Sequence, residues 1–230
     1  YGRNEADGLR GVYHGWKFDV DGNCLDMANV PSHQDFKDKV KARAYRVAER
    51  NGLIWVFMGE KEAPALPEIE ATLVPEDEMG TDFILRECNW LQALEVGIDP
   101  AHASFLHRFF EDEDTADGYG RQFRAATVDT ALPVTKILRE FDCPEIEVET
   151  TDYGLRIFAL RSLDTATMHV RVTNMIFPNA IVIPLSNDMV LTQWHVPIDD
   201  TTCWWYAIFT SFADAVDKDA MRQQRLELYT

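Results

Sequence analysis

Between Pro144 and Phe212 the chain repeats one pattern, in which apolar runs of strand length are separated by short turn signals. Ile146 and Val148 alternate with acidic residues. Leu155 to Arg161 follows Asp152-Tyr153-Gly154, and His169 to Phe177 runs into Pro178-Asn179. Ala180 to Ile183, Met189 to Val196 and Cys203 to Phe212 are set apart by Ser186-Asn187-Asp188 and Asp199-Asp200. Connections this short join antiparallel neighbours, because a parallel crossover needs a dozen residues or more. A helical pattern over Val216 to Tyr229 follows, opened by Asp214 or Asp217 as cap. Strands followed by a helix predict an α+β domain built on an antiparallel sheet.

The first sixty residues read as short β structure of their own. Val12 to Phe18 leads to Asp21-Gly22, a hairpin signal, and Asn51-Gly52 precedes the strand run Leu53 to Phe57. Ala63-Pro64-Ala65-Leu66-Pro67 and the acidic stretch to Gly80 read as a linker. The expected organisation is therefore a β domain over 1–60, a linker over 61–80 and a second domain over 81–230. Within the second, Phe83-Ile84-Leu85 predicts a strand, and Glu111 to Asp114 with Gly118 and Gly120 a mobile acidic loop.

The chemistry concentrates in Asn89 to His107, NWLQALEVGIDPAHASFLH. Glu95, Asp99 and His102 fall at i, i+4 and i+7, one face of a helix, and Leu91, Ile98, Leu106 and Trp90 share it. Carboxylates pulled inward by that face need partners. Two imidazoles with nearby carboxylates can hold a divalent metal. Positions five apart on a helix diverge by about 140°, so the helix must end or bulge between His102 and His107 for both to reach one ion. His169 and His195 lie on strand patterns and read as packed core histidines, and His33 as a surface residue.

A net charge of −17 argues against nucleic-acid or membrane-surface partners. No apolar run reaches the length of a membrane span, and no signal peptide is recognisable. Cys24, Cys88, Cys143 and Cys203 are scattered without a CxxC pair, which fits free thiols and a cytoplasmic location. Lys37, Lys39, Lys41, Arg43, Arg46 and Arg50 form the main positive run, either a solvated face or a docking surface for an acidic electron-transfer partner. The chain starts without Met and stops inside a helical pattern, as expected of an internal piece of a longer protein.

Two stretches carry a family resemblance. Gly2 to Asp19, GRNEADGLRGVYHGWKFD, resembles the second half of a Rieske iron–sulfur motif. Asn89 to His107, as E-x3-D-x2-H-x4-H after Asn-Trp, resembles the mononuclear-iron motif of the Rieske non-haem iron oxygenases, of the phthalate 4,5-dioxygenase type. The resemblance implies a partial Rieske domain followed by a helix-grip catalytic domain. It implies a [2Fe–2S] cluster held by two Cys and two His, and Fe(II) held by two His and a carboxylate. His102 and His107 would be the iron histidines. Asp99 would be the carboxylate that carries electrons across from a neighbouring subunit of a trimer, supported by Glu95 and Asn89. The third ligand would be an Asp beyond Thr230, or alternatively Asp99 itself. Electrons would come from NADH through a separate reductase. The reaction implied is dihydroxylation of an aromatic carboxylate, or O-demethylation of methoxybenzoates.

One position departs from the pattern. In the CxxH box the cysteine position is Gly11, and only His14 remains as a cluster ligand. Glycine supplies no thiolate. This leaves a change introduced at that position, an inactive protein, or one that has diverged from electron transfer. A second hypothesis is therefore a non-catalytic remnant that binds small aromatics or assembles with true oxygenase subunits. Arg156, Arg161 and Arg171 are all candidates for a substrate carboxylate, since each lies on a strand whose facing the sequence does not fix.

Overall fold

The computed structural model describes residues 2–107 and 134–229, in two compact units divided between Pro67 and Glu68. The expected acidic loop at Glu111 to Asp114 lies outside the described residues.

The first unit is all β. Strands β1 (Gly2–Glu5), β2 (Gly8–Gly11), β3 (Trp16–Phe18) and β4 (Cys24–Met27) form an antiparallel sheet in sequence order. Strands β5 (Arg46–Arg50) and β6 (Leu53–Phe57) form a separate hairpin. Its turn is the Asn51-Gly52 pair, both at positive φ (60° and 68°), the backbone that a tight two-residue hairpin needs. The segment Ala63 to Pro67 has no regular structure, and short 3-10 turns follow at Glu70–Thr72 and Glu76–Glu78.

The second unit is one antiparallel sheet of seven strands. Its members are β7 (Met79–Arg86), β8 (Glu145–Thr151), β9 (Gly154–Ser162), β10 (Met168–Ile176), β11 (Ala180–Pro184), β12 (Met189–Pro197) and β13 (Cys203–Ser211). They lie in the order β7-β13-β12-β11-β10-β9-β8. The six strands after Pro144 follow one another as a meander, as their turns predict. The first strand crosses over to pair with the last, Ile84 opposite Trp205 and Arg86 opposite Cys203. Helices α1 (Trp90–Ile98), α2 (Ala103–Leu106), α3 (Val134–Glu140) and α4 (Lys218–Tyr229) complete the unit. Of the two candidate caps for α4, Asp217 does the work, accepting the Ala220 amide at 2.9 Å.

Because side chains alternate across a sheet, register decides which residues face the helices. Pairing carries Arg161 to His169, Ala159 to Arg171, Ile181 to Gln193, Gln193 to Ala207 and His195 to Trp205. These residues share one face. On it Trp205, Ala207 and Phe209 pack with Val216 and Met221 beside α4. α1 also lies on this face, burying Leu94, a contribution of about 1.5–3 kcal/mol.

α1 sits unusually close to the sheet at Gly97. A Cβ built there would stand 2.5 Å from Ile181 Cδ1 and 3.1 Å from Gln193 Nε2. Gly97→Ala is therefore expected to cost about 1–3 kcal/mol through overpacking. Thermal or urea unfolding checks this, and an unchanged midpoint would mean that α1 is not held at this distance.

Candidate metal centre

Asn89 opens α1 as its cap. Its Oδ1 accepts the Leu91 amide at 2.9 Å, while its Nδ2 donates to the Asp200 carbonyl at 3.0 Å, tying the helix start to the β12–β13 turn. The helix stops at Ile98. Pro100 disfavours helical backbone at Asp99, and Asp99 turns to cap the next segment instead. Its carboxylate accepts the amides of Ala101 (2.8 Å) and His102 (3.3 Å). One turn of helix, α2, then runs between the two histidines.

This corrects two expectations. Glu95, Asp99 and His102 do not share a helix face, because the helix ends before Asp99. Nor are the carboxylates drawn inward. Glu95 is exposed and accepts from Gln92 Nε2 at 3.2 Å, and Asp99 is half-exposed. Leu91 and Leu106 are exposed as well, so the face that would have pulled them in is a surface of this chain. As expected, helical backbone ends between the two histidines, α2 stopping at Leu106 and His107 leaving it, while an additional break falls before His102.

The two imidazoles nevertheless converge. Their ring centres are 5.0 Å apart, with the planes 76° from parallel. Two imidazoles bound to one ion at about 2.1 Å per nitrogen hold their centres about 5 Å apart, so this pair fits a shared ion. His102 Nδ1 donates to the Asp99 carbonyl oxygen, which leaves Nε2 as the nitrogen able to ligate. Desolvation, then the neighbouring His102 and the charge of Arg171, hold the His107 pKa below the ordinary histidine value. That favours the neutral form a metal needs. The Asp99 carboxylate stands 3.8 Å from His102 Nδ1. Among the described residues no group of three or more His, Cys, Asp and Glu is arranged to hold a metal.

The face beneath α2 is cationic. Arg161 is 2% exposed. Its Nη2 donates to Ser104 Oγ of α2 at 3.0 Å, its Nε to the Phe141 carbonyl at 2.8 Å, and its Nη1 is buried with no partner. Arg171 donates to the Pro184 carbonyl from Nε (3.4 Å) and Nη2 (3.3 Å). Desolvation, then the charge of Arg161, lowers its pKa to about 10, so it stays protonated at neutral pH. Neither pairs with a carboxylate among the described residues. Arg156 points to the opposite face and is paired with Glu149 at 3.1 Å. Register parity separates the three arginines, and strand pattern alone could not. His195 is 4% exposed, and desolvation followed by Arg86 lowers its pKa to about 4, so it is a neutral core residue. His169 faces Arg161 across the β9–β10 pair.

In the first unit, His14 is exposed in the Gly11–Gly15 turn and packs on Tyr13 with ring centres 4.0 Å apart. The remaining thiol of that unit, Cys24, is buried and donates to the Asp26 carbonyl at 3.6 Å. The residues present do not fit a [2Fe–2S] cluster. Gly11 itself is not required by the backbone: its φ is not positive, and a Cβ would meet only Trp16 O at 3.7 Å. Three of the six basic residues of this run are answered by nearby acids, Lys37 by Asp35 at 2.7 Å, Arg46 by Asp21 at 3.7 Å and Arg43 by Glu60 at 3.9 Å. This favours the solvated-face reading. Among the described residues no helix is long and apolar enough to cross a membrane.

A family model described as LigXa C-terminal domain like matches residues 56–227. The chain is 36% identical over 212 residues to the phthalate 4,5-dioxygenase oxygenase subunit of Pseudomonas putida, covering 90% of this chain and 46% of that protein. It is 40% identical over 209 residues to the 5,5'-dehydrodivanillate O-demethylase oxygenase subunit of Sphingobium sp., covering 87% and 43%. The chain thus spans about half the length of the curated relatives it matches. Among solved structures it resembles dicamba monooxygenase bound to dicamba, with a TM-score of 0.62 at 17% identity over 99% of this chain and 73% of that one. That likeness is one of fold.

Proposed function

The chain belongs to the Rieske oxygenases, through a catalytic domain of the LigXa C-terminal kind, and from that premise we propose that it is part of an oxygenase component acting on an aromatic carboxylate. Members of this family are oxidoreductases that use iron and a Rieske cluster. In the proposed site His102 and His107 hold Fe(II), with a third carboxylate ligand from chain beyond Thr230. Bound there, the iron supplies dioxygen activation. Asp99 positions the His102 ring through its backbone carbonyl and carboxylate, and takes the bridging position toward a neighbouring subunit. Its half-exposed carboxylate is compatible with that role. Asn89 fixes the start of α1, and Glu95 borders the same surface. A separate reductase and a trimeric assembly are the partners this reading implies.

The observation that carries the substrate class is the pair Arg161 and Arg171, on the sheet face that α2 covers. Burying a cation without a counter-charge is costly. A ring carboxylate placed between this face and the histidines would offset that cost. Arg171 feels the charge of Arg161, and its own charge reaches His107.

Arg171→Leu in the iron-loaded, full-length protein tests this. Losing one partner of a buried charge pair costs about 2–5 kcal/mol, so phthalate should bind at least about thirty-fold more weakly by calorimetry. The diamide analogue should bind with unchanged affinity. Equal weakening of both ligands would reject the carboxylate reading. In a Gly11→Cys background, product analysis with reductase and NADH then separates a cis-diol from a phenol plus formaldehyde. The second reading, a non-catalytic remnant, is favoured by one observation, the absent thiolate at Gly11.

A further inference from the structure

α2 is a single turn, Ala103–Leu106, cut off from α1 by the break at Asp99 and Pro100. Helices shorter than about a dozen residues do not hold their shape by internal hydrogen bonding alone. The 5.0 Å spacing of the two imidazoles at its ends therefore has to be fixed from outside. Ala103 and Ser104 face inward, at 3% and 0% exposure, whereas Phe105 and Leu106 are exposed. Among the described residues, one side-chain hydrogen bond reaches α2 from another element: Arg161 Nη2 on β9 donates to Ser104 Oγ at 3.0 Å. The same guanidinium donates from Nε to the carbonyl of Phe141 at 2.8 Å. Phe141 follows α3, and its amide still bonds back to the Ile137 carbonyl at 2.9 Å. Carbonyls at the end of a helix lack internal partners, and a cation there is favourable.

We propose that Arg161 is a positioning residue for the metal pair: its guanidinium clamps the α2 turn to the end of α3 and, through Ser104, sets how His102 and His107 present their nitrogens. This rests on the reading of that pair as the iron histidines. Both histidines are bonded into the turn by their backbones. The His102 carbonyl accepts the Leu106 amide at 2.9 Å, and the His107 amide donates to the Ala103 carbonyl at 3.2 Å. Ser104 lies between them, so displacing it moves both rings. A planar fork can hold two acceptors in a fixed relation, which a single ammonium cannot. Both bonds are buried: Arg161 is 2% exposed and Ser104 0%, so water does not replace either bond when it is lost. Arg171 donates to the Pro184 carbonyl instead, which separates its role from the clamp.

Co(II) titration of the full-length protein after removal of its iron, followed by visible d–d absorption and calorimetry, tests the clamp. His102→Ala supplies the background. Ser104→Ala removes the acceptor and little volume. It should weaken the His102-dependent cobalt binding by at least about ten-fold and shift the d–d band, because the ligand angles change. Arg161→Met should do the same, and the double variant should lose little more than either single one, since both break one link. Circular dichroism at the titration temperature checks that each is folded, and Ser104→Ala alone decides if Arg161→Met is not. A lower melting temperature with unchanged cobalt affinity and band in Ser104→Ala would overturn the clamp while leaving the iron pair standing. Losses that simply add would show that Ser104 and Arg161 do not act as one link, and overturn it too. Cobalt binding that ignores His102→Ala would remove the iron pair and the clamp together.

Discussion

His102→Ala and His107→Ala are each expected to empty the mononuclear iron site while leaving the fold intact. In the proposed site the two rings supply the nitrogen ligands, and their centres lie 5.0 Å apart. Loss of a hydrogen-bonding neighbour of a ligand typically costs 10- to 100-fold in metal affinity, so loss of the ligand itself should cost more than about 100-fold. His102 and His107 sit at the two ends of α2, and neither ring is part of the hydrophobic core. Little unfolding is therefore expected. Colorimetric iron after gel filtration, with circular dichroism as the fold check, decides the matter. His33→Ala, in the first unit, is the control that should keep full iron. Asp99→Asn should also keep it, because the amide oxygen can still accept the Ala101 amide and hold the turn before α2. Iron retained in either alanine variant would remove that histidine from the ligand set. Iron lost in Asp99→Asn would make Asp99 a ligand instead of a positioning residue.

Much of this site can be read in the sequence, and its failures are physical. The turn pairs placed the strands after Pro144 well, because Gly, Asn, Asp and Pro terminate strands by local backbone preference. The local strand signal around Phe83 covers only three residues of the eight in β7. Gly80 and Asp82 have little strand propensity, and their pairing with Phe209 and Ala207 is supplied by the distant β13. The period-3.6 pattern runs on through Asp99, yet a local signal stops the helix there. Pro100 restricts the residue before it, and Asp is a strong cap for the segment after it. The buried arginines were present as residues but not as a site. Arg156 and Arg161 differ by one step of parity, and only the register with β10 sends one to solvent and the other beneath Ser104.

Gly11→Cys in the full-length protein is expected to produce the largest gain. As the chain stands, position 11 offers no thiolate, and preparations should contain almost no acid-labile sulfide. The cysteine should fit without rearrangement: its Cβ meets only Trp16 O at an ordinary 3.7 Å, and the backbone there is one any residue adopts. Replacing glycine at such a site usually stabilises by about 0.4–1 kcal/mol through the unfolded chain, so a folding failure is not the expected obstacle. With its thiolate beside His14, and the first Cys–His box supplied by chain before Tyr1, the variant should gain about two sulfides per chain and a Rieske signal by EPR. Turnover with reductase and NADH should appear with it, and Asp99→Asn added to this background should abolish that turnover while iron and sulfide stay. A Rieske signal already present with glycine at position 11 would show that the cluster has another fourth ligand. A variant that gains neither sulfide nor turnover would mean that electron transfer was lost through more than one change. The His102–His107 pair and its arginines would then serve binding alone.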